Sequence, residues 1–151
     1  MNFKIRPATG ADAKIIAAFQ VAMARETEEK LLDALTVTAG VENVLQNPNL
    51  GHFLVATDEK NTVIAALLIT FEWSEWRNGQ FWWIQSVYVV PEARGSGIFR
   101  ALFAEVKKRA QSSEMVCGLR LYVERDNQKA QAVYTKLGME ETPYRIFEEE
   151  F

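Results

Sequence analysis

Cysteine and histidine are nearly absent from the sequence, with one residue of each among 151. The single cysteine, Cys117, excludes a disulfide within the chain and fits a reducing compartment. No histidine, cysteine and carboxylate residues share the spacing of a metal site, so we expect no metal. We expect Cys117 to fill space in the core of its strand instead.

An excess of positive charge is also missing, because 17 Lys and Arg residues stand against 20 Asp and Glu residues and the net charge is −3. This balance argues against a general role on nucleic acid or at a membrane surface. No apolar run is long enough to cross a bilayer, and the N-terminus turns polar at once instead of forming a signal peptide. We therefore expect a cytoplasmic protein with a single domain over residues 1–151.

Two familiar phosphate-binding motifs are missing too. A P-loop needs Gly-Lys-Ser or Gly-Lys-Thr, and the Rossmann fingerprint needs glycine or alanine where this chain has Arg100. The chain has instead a strand that ends at Pro91, then the turn Arg94-Gly95-Ser96-Gly97, then at once a helix. The two glycines permit positive φ, and free N–H groups gather where the helix begins. This turn predicts an anion site suited to phosphate or pyrophosphate.

Hydrophobic periodicity predicts an α/β (α+β) fold, with a single mixed and mostly antiparallel sheet flanked by helices. Asn78-Gly79 predicts a type I′ turn between two antiparallel strands. Gly138 predicts the end of the last helix. The predicted strands are 3–6, 53–57, 62–73, 81–90, 116–123 and 144–149, and the predicted helices are 11–25, 32–46, 97–110 and 127–137.

The glycine turn belongs to a longer motif, and a second motif follows one helix and one strand later. The first reads Val87-Tyr-Val-Val-Pro-Glu-Ala-Arg-Gly-Ser-Gly97. The second reads Leu121-Tyr-Val-Glu-Arg-Asp-Asn-Gln-Lys-Ala-Gln-Ala-Val-Tyr-Thr-Lys-Leu-Gly-Met139. Together they resemble the GNAT superfamily of acetyl-CoA-dependent N-acetyltransferases, and Phe3-Lys-Ile-Arg-Pro-Ala-Thr9 looks like the first strand of that family. The resemblance therefore covers nearly the whole chain.

In that family, the turn Arg/Gln-x-x-Gly-x-Gly/Ala holds the pyrophosphate of coenzyme A. Arg94-x-x-Gly97-x-Phe99 matches it except at the last position, where the ring of Phe99 must point away from the phosphates. The resemblance thus implies acetyl-CoA as the cosubstrate, without a metal. The residues that it implies for binding the cofactor are Val87, Tyr88, Val89, Arg94, Gly95, Ser96, Gly97, Ile98, Phe99, Asn127 and Tyr134.

The resemblance also implies how some of these residues act. The strand Val87–Val89 would offer backbone groups to the pantetheine arm, as if the cofactor were an added strand, and one N–H to the oxyanion. Asn127 would contact the arm or orient its turn, and a simple helix cap is compatible with either role. Tyr134 would protonate or hydrogen-bond the leaving thiolate as the catalytic acid. The alternative for Tyr134 is a packing residue with its hydroxyl at the helix edge.

The base that takes the proton of the amine is harder to identify. Many relatives carry a glutamate at the position of Gln85, and glutamine cannot accept a proton at neutral pH. Glu72 is the first candidate for the catalytic base, because it lies near the end of the neighbouring predicted strand. Glu26 and Glu124 are others, and each of the three equally fits a solvated surface carboxylate. Water is the remaining proton acceptor.

Aromatic residues crowd the segment from Trp73 to Trp83. Strand alternation puts Trp82 and Trp83 on opposite faces of the sheet. The other aromatic side chains, with nearby glutamates, predict an acidic aromatic pocket for a cationic amine. A packed hairpin with surface tryptophans, or a homodimer contact, fits equally well. The candidate residues for binding the acceptor are Glu26, Glu72, Trp73, Trp76, Gln85 and Glu124.

The resemblance and the residues together predict an enzyme that moves an acetyl group from acetyl-CoA to a primary amine of a small molecule. Direct attack in a ternary complex fits best, since no cysteine lies near the turn to form a covalent intermediate. One alternative is a peptide or protein N-acetyltransferase. Another is a non-catalytic acyl-CoA-binding or regulatory domain, which Gln85 favours and Tyr134 opposes.

Overall fold

The computed structural model describes all residues, 1–151, and they form two compact units, residues 1–121 and 122–151. The first unit contains five strands, β1 Lys4–Pro7, β2 His52–Thr57, β3 Val63–Ser74, β4 Gly79–Val89 and β5 Val116–Arg120. Its helices are α1 Ala13–Glu28, α2 Ala34–Gln46 and α3 Ile98–Gln111, and short 3-10 turns form at Gly10–Asp12 and Pro91–Ala93. The second unit contains one helix, α4 Gln128–Lys136.

The five strands form one sheet in the order β1-β2-β3-β4-β5. The first four strands pair antiparallel, and β5 pairs parallel to β4. This arrangement confirms the predicted mixed and mostly antiparallel sheet. Its centre is fully apolar, since Leu54, Val55, Leu67 and Ile69 are completely buried.

Helices bury their apolar stripes on the sheet. Ile16 and Phe19 of α1 and Val41 of α2 form one buried cluster with Phe53 and Tyr88 of the strands. Burying side chains of this size contributes about 1.5–3 kcal/mol each to the free energy of unfolding. Helix α3 contacts β2, β4 and β5 and buries Ile98, Leu102, Phe103, Val106 and Ala110.

The hairpin of β3 and β4 confirms the predicted antiparallel pairing, but the predicted type I′ turn at Asn78-Gly79 is wrong. Ser74 pairs with Gly79, so the loop has four residues, 75–78, and only Asn78 in it has a positive φ, of 46°. Gly79 belongs to the strand, where an added Cβ would lie 3.1 Å from the Cβ of Cys117. Glycine stands at this position because β5 approaches closely, and the turn does not require it.

Two predicted strands are wrong, one in its end and the other as a whole. β5 stops at Arg120, and residues 137–151 contain no helix or strand, so the strand predicted at 144–149 is not formed. Tyr144 and Phe147 are 74% and 94% exposed. An alternating pattern makes a strand only where a neighbouring strand accepts its hydrogen bonds. Cys117 is exposed and not in the core, because β5 is the edge strand of its sheet.

A partly buried ion pair joins β1 to the start of α1. Asp12 is buried, and its two carboxylate oxygens accept hydrogen bonds from the Arg6 guanidinium at 2.8 and 2.9 Å. The backbone N–H of Thr9 donates to the same carboxylate at 2.7 Å. The hydrogen bond from Arg6, followed by the one from Thr9, holds the pKa of Asp12 below its usual range against the opposing effect of burial.

Replacing Asp12 by asparagine should make the stability of the protein less dependent on acidic pH. A lowered pKa in the folded state means that the carboxylate stabilises the fold fully above about pH 4 and loses this effect as the pH falls through the folded-state pKa. We expect Asp12→Asn to cost about 2 kcal/mol at pH 7, in the range of a hydrogen bond to a charged group. Urea unfolding from pH 7 to pH 2 measures both effects. If the wild type is more stable than Asp12→Asn by the same amount at every pH in this range, the pKa of Asp12 is not lowered in the folded state.

Candidate functional site

The glycine turn leaves the N-terminal end of α3 open. Gly95 and Gly97 have φ of 78° and 82°, and α3 begins at the next residue, Ile98. A Cβ at either glycine would meet no atom within 4 Å, so the backbone conformation and not packing requires glycine here. The first N–H groups of a helix have no acceptor within the helix, and its dipole is positive at this end. The positive φ values and the helix start are as predicted, and anion binding at this turn stays a prediction.

Arg94 connects the glycine turn to Glu26 of α1 and to β4 through hydrogen bonds. Its Nη2 donates to Oε2 of Glu26 at 2.7 Å, and its Nε donates to the carbonyl of Val89 at 2.9 Å. The hydroxyl of Tyr88 donates to the other oxygen of Glu26 at 3.0 Å. The hydrogen bond from Arg94, and less so that from Tyr88, lowers the pKa of Glu26. Glu26 is thus a paired anion beside the turn.

The outer edge of β4 loses its partner halfway along the strand. β3 pairs with β4 as far as Val89, whereas β5 pairs with it only from Gln80 to Trp83. Between Ile84 and Val89, the N–H and C=O groups on the outer edge have no neighbouring strand in the sheet. Such an edge is a template for an extended chain that adds as a further strand. The glycine turn follows at the end of this free edge.

A β-bulge interrupts the same part of β4. Ala66 faces Tyr88 and Leu68 faces Gln85, so two residues of β4, Ser86 and Val87, lie opposite one residue of β3. Ser86 has a φ of 51°, which costs a non-glycine residue about 1–3 kcal/mol. Bulges re-aim backbone groups and often lie next to active sites. The sequence gives no signal for this bulge, because serine has no preference for positive φ.

Alternation along the hairpin puts the polar candidates on one face of the sheet. The amide of Gln85 donates a short hydrogen bond to the Thr70 hydroxyl. Oε1 of Glu72 accepts one bond from Nε1 of Trp83 at 2.9 Å and one from Nη1 of Arg120 at 2.8 Å. The bond from Trp83 first, then that from Arg120, lowers the pKa of Glu72. A lowered pKa makes this carboxylate a weaker base than a free glutamate.

The predicted acidic aromatic pocket is not formed. The ring of Phe81 lies between two guanidinium groups, with Arg120 at 3.7 Å and Arg77 at 5.0 Å from its centroid. Trp73 and Trp76 are 50% and 83% exposed and do not enclose a pocket with it. The two arginines already occupy the cation–π positions and would repel a cationic amine. This supports the alternative of a packed hairpin with surface tryptophans.

Trp82 and Trp83 lie on opposite faces of the sheet, as predicted. Trp83 bonds Glu72, whereas Trp82 contacts His52 edge-on, with 5.1 Å between ring centroids. Burial lowers the pKa of His52, which keeps its ring neutral at physiological pH. This histidine belongs to the aromatic packing of its face.

A pocket of about 250 Å³ opens beside the bulge, between the two N-terminal helices and the sheet. It was not predicted, because its wall combines residues from five separate elements and the segment before α2. Most of its wall is apolar, and no charged side chain lines it. The lining residues are Gln20, Leu32, Val37, Gly40, Val41, Val44, Phe53, Leu68 and Ser86.

The C-terminal unit contains three further predicted residues. Oδ1 of Asn127 accepts a hydrogen bond from the N–H of Ala130 at 3.1 Å, which confirms the helix cap. Tyr134 lies on α4, and burial raises its pKa, so the hydroxyl stays protonated at neutral pH. The Glu124 side chain is exposed. Helix α4 ends before Gly138, whose φ is 90°, as predicted.

A match to a family profile identifies the family of this chain. The profile of the "Acetyltransferase (GNAT) family" matches residues 17–139, which include the bulge, the glycine turn and α4. The chain belongs to the GNAT acetyltransferase family. No curated protein matches the chain.

Solved structures of similar fold include possible and predicted acetyltransferases. A possible acetyltransferase from Clostridium difficile 630 is 42% identical, with a TM-score of 0.92 over 100% of this chain and 99% of that chain. A predicted acetyltransferase from Clostridium acetobutylicum, solved with acetyl-CoA, is 23% identical, with a TM-score of 0.80 over 98% and 96% of the two chains. AAC(6')-Iy, in complex with the bisubstrate analogue CoA-S-monomethyl-acetylneamine, is 17% identical, with a TM-score of 0.77 over 100% and 99%.

Two further observations on this GNAT protein concern metal binding and membrane spanning. No three His, Cys, Asp or Glu side chains lie together in a way that could hold a metal ion. None of the helices has both the length and the apolar character needed to cross a membrane.

Proposed function

We propose that the protein transfers the acetyl group of acetyl-CoA to a primary amine of a small molecule. One observation carries the proposal: the free edge of β4 leads directly into a glycine turn at an open helix end. The edge suits the amides of the pantetheine arm, and the turn suits the pyrophosphate. The small volume of the pocket beside the bulge, about 250 Å³, favours a small acceptor group.

In the proposed reaction, the neutral amine attacks the thioester carbonyl directly. A tetrahedral oxyanion forms, and a backbone N–H near Val87 to Val89 would donate to it. The C–S bond then breaks, the thiolate takes a proton from the Tyr134 hydroxyl, the nitrogen loses a proton to water, and the tyrosinate regains a proton from water. The phenol of Tyr134 is protonated at neutral pH and so has a proton to give, and burial, which raises its pKa, makes it a weaker acid than a free tyrosine.

We propose that water accepts the proton of the amine. Glu72 was the first candidate for this role, but its bonds to Trp83 and Arg120 lower its pKa. Glu26 is paired with Arg94 in the same way. A base with a lowered pKa takes a proton from an amine less readily. The site then contributes mainly proximity and orientation.

Replacing Gly97 tests the proposed pyrophosphate site. Gly97→Glu and Gly97→Gln strain the turn similarly, since both put a side chain at a φ of 82°, and they differ only in charge. We expect CoA to raise the melting temperature of the wild type and of Gly97→Gln, but not that of Gly97→Glu. Pantetheine without phosphates should stabilise the wild type far less than CoA. Equal stabilisation by CoA and pantetheine would contradict the proposed site.

Tyr134→Phe tests the catalytic acid, because it removes one hydroxyl and little volume. We expect kcat to fall by about 10²–10⁴-fold, the usual loss of a general acid, while the CoA-induced rise in melting temperature persists. Tyr144→Phe is the matched control, since Tyr144 is a 74% exposed tyrosine of the same unit and should keep full activity. If Tyr134→Phe turns over like the wild type, Tyr134 is a packing residue. If the wild type releases no thiol from acetyl-CoA with any amine, the protein binds CoA without catalysis.

The pH dependence of kcat/KM tests the proton acceptor. If water is the acceptor, the rising limb follows the pKa of the acceptor amine, so two amines of different pKa should shift it accordingly. Glu72→Gln and Glu26→Gln should leave the position of the limb unchanged. A limb that moves in Glu72→Gln alone would show that Glu72 is the base, as the sequence first suggested. The same test on Glu124→Gln covers the third candidate.

A further inference from the structure

Gln20, which lines the pocket beside the bulge, has a side-chain amide nitrogen without a hydrogen-bond partner. Nε2 of Gln20 is buried and makes no hydrogen bond, and Gln20 lines the pocket. A buried amide N–H without an acceptor costs about 1–3 kcal/mol, so such groups in proteins usually have a partner. An oxygen atom of a bound molecule would supply the missing acceptor.

The rest of the lining limits what this molecule can be. Val37, Val41, Val44, Phe53 and Leu68 make the wall apolar. No charged side chain lines the pocket, so a carboxylate or an ammonium group would be buried there without a counter-ion. The oxygen that meets Gln20 therefore belongs to a neutral group such as an amide or ester carbonyl. The volume of about 250 Å³ is below the usual 300–1,000 Å³ of pockets for drug-sized ligands, so the bound group is small.

The pocket adjoins the strand segment that would carry the reaction. Ser86 lines the pocket and is also the first residue of the bulge. The next residue along β4, Val87, begins the segment whose backbone N–H groups are proposed to meet the oxyanion. An acceptor seated in the pocket would therefore present its amine next to these groups.

We propose that the acceptor is a primary amine that carries an apolar side chain and a neutral carbonyl oxygen, the chemistry of a hydrophobic α-amino amide. The apolar side chain fills the pocket, and Nε2 of Gln20 donates to the carbonyl oxygen. Polyamines and amino sugars do not fit this lining, because they are polycations. This inference rests on the proposed function and names the substrate class of the same site.

Four small amines test the proposal in assays of thiol release from acetyl-CoA. Leucinamide has all three features, 3-methylbutylamine lacks the carbonyl, glycinamide lacks the apolar side chain, and spermidine is a polycation. We expect leucinamide to have the highest kcat/KM. A tripeptide amide that begins with leucine has the same chemistry, and its rate relative to leucinamide distinguishes a peptide terminus from a free small molecule as the source.

Gln20→Met removes the donor and keeps the length of the side chain. It should lower kcat/KM for leucinamide about tenfold, the upper range of one neutral hydrogen bond, and leave that for 3-methylbutylamine within about twofold. Gly40→Leu is the second variant, since a Cβ at Gly40 meets no atom within 4 Å and a helical glycine is replaced by a better helix former. It should fold well, fill the pocket and raise KM for leucinamide but not for glycinamide.

The outcomes separate this inference from the proposed function. If spermidine or glycinamide reacts as well as leucinamide, and neither variant changes this order, the pocket inference is wrong and the acetyltransferase assignment stands. If no amine releases thiol, the proposed function is wrong, and ligand binding alone then tests the pocket inference. Leucinamide should then still raise the melting temperature of the wild type and not that of Gly40→Leu. Absence of this difference would overturn the inference.

Discussion

The strand β4 is shared unequally between its two neighbours, and the site depends on this inequality. β3 pairs along nearly all of β4, whereas β5 pairs only with the first part. At the paired end, Arg120 of β5 stacks on Phe81 and bonds Glu72. Gly118 leaves room for this ring, because a Cβ there would lie 2.6 Å from Cε1 of Phe81. These contacts hold β5 against one end of β4 and leave the other end without a neighbouring strand on that side, where the cofactor is proposed to bind.

Ion pairing determines which chemistry remains available beside this edge. Both carboxylates near the hairpin and the turn, Glu72 and Glu26, are held by an arginine and by an aromatic donor. These bonds fix the positions of β5 and of the turn, and they also lower the pKa of each carboxylate. The same interactions that shape the site therefore make these two carboxylates weaker proton acceptors. Gln85, whose neutral amide bonds Thr70, cannot serve as a base in their place.

The sequence predicts those features that depend on local residue preferences. The glycine turn was predictable because positive φ at Gly95 and Gly97 calls for glycine, and the cap at Asn127 because its side chain bonds a nearby N–H. Contacts between distant residues were not predictable from the same patterns. Glu72 and Arg120 are 48 residues apart, and no local pattern indicates that their bond lowers the pKa of the carboxylate. The strand at 144–149 was wrong for the related reason that alternation does not supply a neighbouring strand.

The bulge at Ser86 depends on the strand pairing around it. Serine does not favour a φ of 51°, so the pairing of β3 with β4 on both sides of the bulge has to maintain this conformation. Loosening the hairpin on either side would relieve the strain and turn the N–H groups of β4 away from their present directions. Ala66, Leu67 and Tyr88, which lie beside or opposite the bulge, are buried core residues, so opening the hairpin there would disturb the site and the core packing together.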